Sequence, residues 1–225
     1  MRANSAGYHA VSVEAKICGL TRPDDAAFAA AHGAWRLGVV FASGPRVVTT
    51  AQARAIVAAA GGVPVLGVFG PQPLQTMLET VSAAGLTGIQ LHGEHPGHVA
   101  RELHAHGLEV WNVVPVRADI DLASTLSAAA IDADALLIEA TAAGGSGGKG
   151  IAIALDLARA ARVAAPAIRF VLAGGLTADS VSEAIRVVGP AAVDVSSGVE
   201  SSPGVKDRDR LARFLENVLA ASSAA

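Results

Sequence analysis

KICGLT, residues 16–21, decides how this chain is read, because a strand end and a glycine break fall together in it. Residues 14–18 have the character of a short β-strand, Gly19 ends it, and a helical pattern follows from Pro23. The only cysteine of the chain, Cys18, stands at the carboxyl end of that strand. In α/β enzymes that is where the chemistry is kept. If the same strand-then-helix unit recurs, Cys18 is a candidate base or nucleophile; if it does not, Cys18 is a small buried hydrophobe.

The unit does recur. Short apolar or β-branched runs at 37–41, 63–69, 89–92, 110–115, 135–139, 168–173 and 192–195 predict seven further strands. Between and after them, Ala-rich amphipathic stretches predict helices at 23–32, 50–60, 74–84, 95–106, 122–129, 154–163, 178–188 and 207–220. Gly85 and Gly107 follow two of these as stops. The last helix is expected to gather Leu211, Phe214, Leu215, Val218 and Leu219 on one apolar face. Near-continuously apolar strands imply a parallel sheet covered on both faces. An open doubly wound sheet accepts a similar pattern with fewer units, whereas eight units in ~200 to 250 residues is the size of a (β/α)8 TIM barrel. A single barrel domain is therefore expected over 13–225, with residues 1–12 as an extension expected to be disordered.

Composition narrows the partners. Hydrophobic residues make up 52% and charged residues 16% of the 225, the balance of a compact globular chain. The formal net charge is −3 and no run of Lys or Arg accumulates, which argues against nucleic acid or an anionic membrane surface. A single cysteine forms no internal disulfide and favours a reducing compartment. Residues 1–13 contain no apolar core of a signal peptide, and no window approaches ~18 uninterrupted apolar residues. A soluble cytoplasmic protein is the expectation.

In a barrel the loops after the strands converge on one face. The polar residues expected there are Cys18 after strand one, Arg46 after strand two, Gln90 and His92 with strand four, and Glu139 ending strand six. Gly174 and Gly175 follow strand seven, and Asp194, Ser196, Ser197 and Gly198 lie on and after strand eight. Loops seven and eight of such barrels often hold a phosphate, because glycines admit the backbone closely and exposed N–H groups accept the dianion. A tight turn at Gly174-Gly175 is the plainer alternative. His92, His95 and His98 are spaced three apart, but no acidic or cysteine pattern supports a metal there. The run Gly144 to Gly150 is not a Walker A loop, since Ala143 and Gly150 stand where that motif needs Gly and Ser or Thr. A Gly- and Ser-rich loop over 141–150 is instead expected to act as a mobile lid.

KICGLT, GVVFASGPR (38–46), GVF (67–69), QLHG (90–93), GGSGGKG (144–150), LAGGL (172–176), DVSSGVE (194–200) and GVKD (204–207) resemble, in order, the motifs of the phosphoribosylanthranilate isomerase family of tryptophan biosynthesis. The resemblance runs from Lys16 to the final helix; any one motif is weak, and their order and spacing together are specific. It implies a (β/α)8 barrel with one active site, a small phosphosugar substrate and no cofactor. It also implies an Amadori rearrangement of N-(5-phosphoribosyl)anthranilate. In that reaction an acid protonates the furanose ring oxygen so that the ring opens to an imine, and a base then removes the C2 proton. The resemblance places the base on Cys18, and Lys16, two residues back on the same strand face, is expected to favour the thiolate. The family's acid is an aspartate ending strand six, and Glu139 stands in its place, one methylene longer. Asp132 and Asp134 replace it only under a different register. Arg46 falls on the arginine facing the anthranilate carboxylate, which suits a planar guanidinium fork. Read without the resemblance, Cys18 is equally core filler, Glu139 a solvated strand-end charge and Arg46 a helix-capping surface residue. Two other functions compete with the isomerase: a related phosphosugar isomerase of broader specificity, and a non-catalytic phosphate-binding barrel. The related histidine-pathway enzyme carries an aspartate where this chain has Cys18, which disfavours it.

Overall fold

The alternating pattern folds as expected, and period-two alternation along each strand decides what faces the axis. The computed structural model describes residues 12–140 and 154–223. Eight parallel strands close into a barrel in chain order. They are β1 (Glu14–Ile17), β2 (Arg36–Val40), β3 (Val65–Phe69), β4 (Gly88–Leu91), β5 (Glu109–Val116), β6 (Ala135–Ala140), β7 (Arg169–Leu172) and β8 (Ala192–Val195). The seam is closed by β8 against β1, with Lys16 opposite Asp194 and Ile17 opposite Val195. Outside lie α1 (Pro23–Ala31), α2 (Thr50–Ala59), α3 (Leu74–Ala84), α4 (Val99–Ala105), α5 (Leu122–Ala129), α6 (Leu155–Ala164), α7 (Val181–Val188) and α8 (Arg208–Ser223). No helix among the described residues is long and apolar enough to cross a membrane.

Two apolar layers follow from the alternation. Ile17, Leu37, Val39, Ile89, Leu136, Ile138, Phe170 and Leu172 point outward into one buried layer against the helices. Leu66, Trp111, Ala135, Leu137, Val171 and Ala192 point inward and fill the barrel. At the amino-terminal end Trp35 stacks on Trp111 at 5.7 Å between ring centroids. The Arg36 and Arg169 guanidinium groups lie 4.1 Å and 4.3 Å from the Trp35 ring. Arg36 is in turn paired with Glu109 at 3.0 Å, and Arg169 with Glu14. A stacked, charge-flanked plug thus closes the end opposite the site.

Local chemistry explains the helix ends. Thr49 and Gln52 form a reciprocal capping box at the start of α2. Gly85 and Gly189 end α3 and α7 in the left-handed conformation, at φ 75° and 63°. Several expectations are corrected. The helix predicted from residue 95 begins only at Val99, because Pro96 and Gly97 interrupt the run. The helix predicted from 178 begins at Val181, after Thr177 and Ser180 bond to each other's backbone amides. Leu219 is 67% exposed and not on the apolar face of α8. The buried row there is Leu211, Phe214, Leu215, Val218 and Ser222, and Leu219 falls a further ~100° around the helix. A short antiparallel hairpin, β9 (Glu200–Ser202) with β10 (Val205–Lys206), was not predicted at all. Strands of three and two residues carry too little periodicity to be seen. The expected extension, apart from residue 12, and the expected lid over 141–150 lie outside the described residues.

Leu137 is fully buried inside the barrel, so Leu137→Ala should lower unfolding stability by ~2–5 kcal/mol. Urea titration should show an earlier midpoint with an unchanged slope.

Candidate active site

Inside the barrel, β1 sends Lys16 and Cys18 toward the axis and Ile17 away from it. Lys16 is completely buried, and its Nζ donates to Asp194 Oδ1 at 2.7 Å and to Gln90 Oε1 at 3.0 Å. Burial by itself pushes the Lys16 ammonium down, but the Asp194 carboxylate and Cys18 beside it hold its pKa above the ordinary value. Asp194 and Gln90, both expected beside the substrate, are instead found buried and holding Lys16, with Asp194 turned into the barrel.

Cys18 comes directly after β1, its amide donating to Val195 O at 2.8 Å. A Cβ added at Gly38 on β2 would stand 2.9 Å from Cys18 Sγ and 3.1 Å from Lys16 Nζ. Thiol and ammonium thus converge on space that only a glycine leaves open. Gly38 was missed as a site residue in the sequence, although it opens the quoted GVVFASGPR motif. Lys16 favours the thiolate as expected, but it does not decide the net shift in the ligand-free site. Burial pushes the Cys18 thiol up, Lys16 pulls it down, and Asp194 adds to the rise, so the net shift is upward. The main reason is burial of the thiol, and the Asp194 carboxylate, 2.7 Å from Lys16, adds to it.

Glu139 has the inward parity of Ala135 and Leu137 on β6, so its carboxyl enters the mouth of the barrel. Its Oε2 lies 3.4 Å from His92 Nε2, and the His92 amide, just past β4, donates to Phe69 O at 2.8 Å. Hydrogen bonding to Glu139 raises the His92 pKa, against the opposing effect of burial. Asp134 and Asp132 sit at the other end of β6. Asp134 accepts from Val110 N at 2.7 Å and contacts His104 at 2.8 Å, and Asp132 meets Arg101 at 3.2 Å. The register that puts Glu139 at the mouth therefore holds.

Arg46 reaches across the end of β1. Gly19 has φ 69°, and a Cβ there would be 2.5 Å from both Arg46 Cδ and Ser196 Oγ. The Arg46 guanidinium forks onto Glu200, Nε to Oε1 at 2.8 Å and Nη2 to Oε2 at 2.6 Å. Gly174 and Gly175 take φ 99° and 65°, conformations that favour glycine. Ser197 and Gly198 lie in a 3-10 turn, Ser197–Val199, immediately after Ser196. A Cβ on Gly198 would come within 1.8 Å of Leu176 O, so the loops after β7 and β8 touch backbone to backbone. Glu200 and Lys206 were also missed. Both lie within quoted motifs, DVSSGVE and GVKD, but what brings them together is the antiparallel register of the hairpin, which pairs one with the other.

A closed parallel barrel with an inward thiol, an inward carboxylate and paired glycine-rich loops at its carboxyl end is the architecture of a (β/α)8-barrel enzyme. Comparison with known proteins makes the class specific. The sequence model of the N-(5'-phosphoribosyl)anthranilate (PRA) isomerase family matches residues 15–217. The N-(5'-phosphoribosyl)anthranilate isomerase of Halorhodospira halophila is 41% identical over 206 residues, covering 90% of this chain and 95% of its own. That of Rhodospirillum centenum is 42% identical over 213 residues, covering 90% and 96%. The solved phosphoribosyl anthranilate isomerase of Thermus thermophilus superposes with a TM-score of 0.80 at 33% identity, covering 92% of this chain and 99% of that one. Another such isomerase, solved in complex with reduced 1-(o-carboxyphenylamino)-1-deoxyribulose 5-phosphate, has a TM-score of 0.78 at 32% identity, with coverage of 92% and 98%. The chain belongs to the N-(5'-phosphoribosyl)anthranilate isomerase family.

Since Cys18 is the only cysteine, thiol alkylation reports on it alone. The pH midpoint of iodoacetamide labelling of the ligand-free protein should lie above the ~8.5 of an unperturbed thiol. A midpoint below that value would show that the lysine field outweighs burial.

Proposed function

We infer that Cys18 is the general base and Glu139 the general acid of an isomerisation that converts N-(5'-phosphoribosyl)anthranilate to 1-(2-carboxyphenylamino)-1-deoxyribulose 5-phosphate in tryptophan biosynthesis. One observation carries the residue assignment. The thiol and the carboxylate are presented into the same mouth from opposite parts of the barrel, on β1 and β6, and Asp194 feels the charge of Glu139 as Cys18 feels that of Asp194. Both groups thus face the mouth where one small substrate is read to sit.

The chemistry follows from their positions. Glu139, protonated, gives its proton to the furanose ring oxygen, and the C1–O bond opens to the imine. Cys18 as thiolate then takes the proton from C2, and the electron pair moves toward the nitrogen to give the enolamine. Tautomerisation yields the ketone. Each well-placed proton-transfer group supplies ~10² to 10⁴ in rate. Lys16 and Lys206 both lower the Cys18 pKa against burial, so the thiolate forms between two cations as the substrate takes up its place. Arg46 offers the edge of its guanidinium not engaged by Glu200 to the anthranilate carboxylate. Gly174, Gly175, Ser196, Ser197 and Gly198 present backbone and hydroxyl donors to the phosphate. His92, hydrogen-bonded to Glu139, orients the acid, and Gln90 holds Lys16 beneath the base. A reaction that needs a free thiol suits a reducing compartment, which supports a cytoplasmic enzyme, and 13–225 is read as its one barrel domain.

Turnover of phosphoribosylanthranilate made in situ, followed by loss of its fluorescence, should give kcat/KM within ~10⁴ to 10⁸ M⁻¹s⁻¹. Cys18→Ala and Glu139→Gln should each lower kcat by ~10² or more with little change in KM. Near-normal kcat in either variant removes that residue from its role. Arg46→Ala should act mainly on KM, and an unchanged KM would detach it from the carboxylate.

A further inference from the structure

Beside the mouth lies a buried ion pair whose members neither give nor take a proton in the reaction read above. Lys206, on β10, has a completely buried side chain, and its three donors are all spent: on Glu200 Oε1 at 2.9 Å, on Cys18 O at 2.6 Å and on Ser196 O at 3.0 Å. Glu200, on β9, holds Lys206 with one oxygen and takes the Arg46 fork with both. Its backbone carbonyl accepts from Arg210 Nη1 at 2.7 Å, and the Lys206 amide donates to Asp25 Oδ2 at 3.0 Å, which anchors the hairpin to α8 and α1. One hairpin therefore touches the backbone of the base, the backbone of the phosphate loop and the side chain facing the carboxylate.

We propose that Glu200 and Lys206 are positioning residues for this reaction. Glu200 fixes the Arg46 guanidinium so that its remaining edge meets the substrate carboxylate, and Lys206 ties the carbonyls of Cys18 and Ser196 together so that base and phosphate keep a constant separation. The proposal rests on the reading of Cys18 and Arg46 given above.

The physical case is the number of constraints. A long arginine side chain free in solvent samples many rotamers, and holding it before the ligand arrives reduces the entropy lost on binding. A bidentate carboxylate fixes both the place and the plane of the guanidinium. Gly19 removes the one Cβ that would collide with the Arg46 stem on its path to Glu200. Lys206 bridges two strand ends, after β1 and after β8, by donating to carbonyls on both sides of the seam. A shift of ~1 Å between reacting groups is enough to cost 10²-fold in rate. Burial by itself pushes the Lys206 ammonium down, and the Glu200 carboxylate offsets that effect only in part. Glu200 is held ionised, below the usual carboxylate range, because Arg46 and Lys206 together outweigh its burial.

The test separates binding from turnover and the brace from the reading beneath it. KM, kcat and the inhibition constants of two ligands are measured on the full chain. One ligand is reduced 1-(o-carboxyphenylamino)-1-deoxyribulose 5-phosphate, and the other is its phenylamino counterpart without the carboxylate. Glu200→Gln should raise KM about tenfold or more, hold kcat within about threefold, and reduce the preference for the carboxylate-bearing ligand toward that of Arg46→Ala. Lys206→Met, which leaves Glu200 paired with Arg46, should instead lower kcat about tenfold. A structural role alone would lower thermal stability without touching the ligand preference. Glu200→Gln with wild-type KM and preference overturns the Arg46 arm, and Lys206→Met with wild-type kcat overturns the Cys18 arm. If Arg46→Ala itself keeps the preference, the assignment of Arg46 fails first, and the Glu200 arm falls with it. Should Glu200→Gln not fold because Lys206 is left without its counter-ion, E200Q/K206M removes both charges; it must show the loss of preference and the fall in kcat together, or the proposal is wrong.

Discussion

A lysine ammonium sealed inside a barrel cannot be left alone, and that constraint organises this protein from the axis outward. Lys16 has no access to water and is satisfied by Asp194 at 2.7 Å and Gln90 at 3.0 Å. Removing one partner of such a pair typically costs ~3–5 kcal/mol, because the other charge remains buried and unpaired. Asp194 stands opposite Lys16 across the β1–β8 seam, while Gln90 comes from β4 on the far wall. Closing the barrel in register is therefore what satisfies the charge. A slip of one residue on β1 would turn Lys16 outward among the helices and Ile17 inward.

The same pair sets the conditions for the chemistry above it. Cys18 follows Lys16 on the same strand face, so the thiol meets a buried cation that pulls its pKa down while burial and Asp194 push it up. The net effect on the thiol is upward, because burial outweighs the lysine. Lys206 supplies a second positive charge from the hairpin, and Glu200 answers it as Asp194 answers Lys16. The mouth is thus built from compensated cations, Arg46 with Glu200 among them.

The two ends of the barrel have separate tasks. At the amino-terminal end, Trp35 sits under Trp111 between two arginines, each paired with a glutamate. Nothing in that plug is arranged for chemistry, and it closes the interior. At the carboxyl end, glycines appear wherever two elements come closest: Gly38 beneath thiol and ammonium, Gly19 beneath Arg46, and Gly198 against the Leu176 carbonyl. Kinship with the isomerase family supplies the reaction, and those contacts supply the reason why this chain has room for it. Glu139 keeps its place at the mouth through the register of β6 and its contact with His92.

The sequence by itself determined the architecture. Eight repeats of an apolar run and an amphipathic stretch are a local, periodic signal, and each strand or helix is specified by residues within a few positions of one another. The inward placing of Cys18 and Glu139 was equally legible, since parity along a strand follows from sequence alone. What only the tertiary structure decided are the pairings between distant residues: Lys16 with Asp194, Arg46 with Glu200, and Lys206 with the carbonyls of Cys18 and Ser196. The two short strands that carry Glu200 and Lys206 show no periodicity, and Gly38 looks like any glycine until the side chains it makes way for are in place. The direction of the Cys18 shift belongs to the same class. It is a contest between burial and three charges from three elements, and neither burial nor charge separation exists until the barrel has closed.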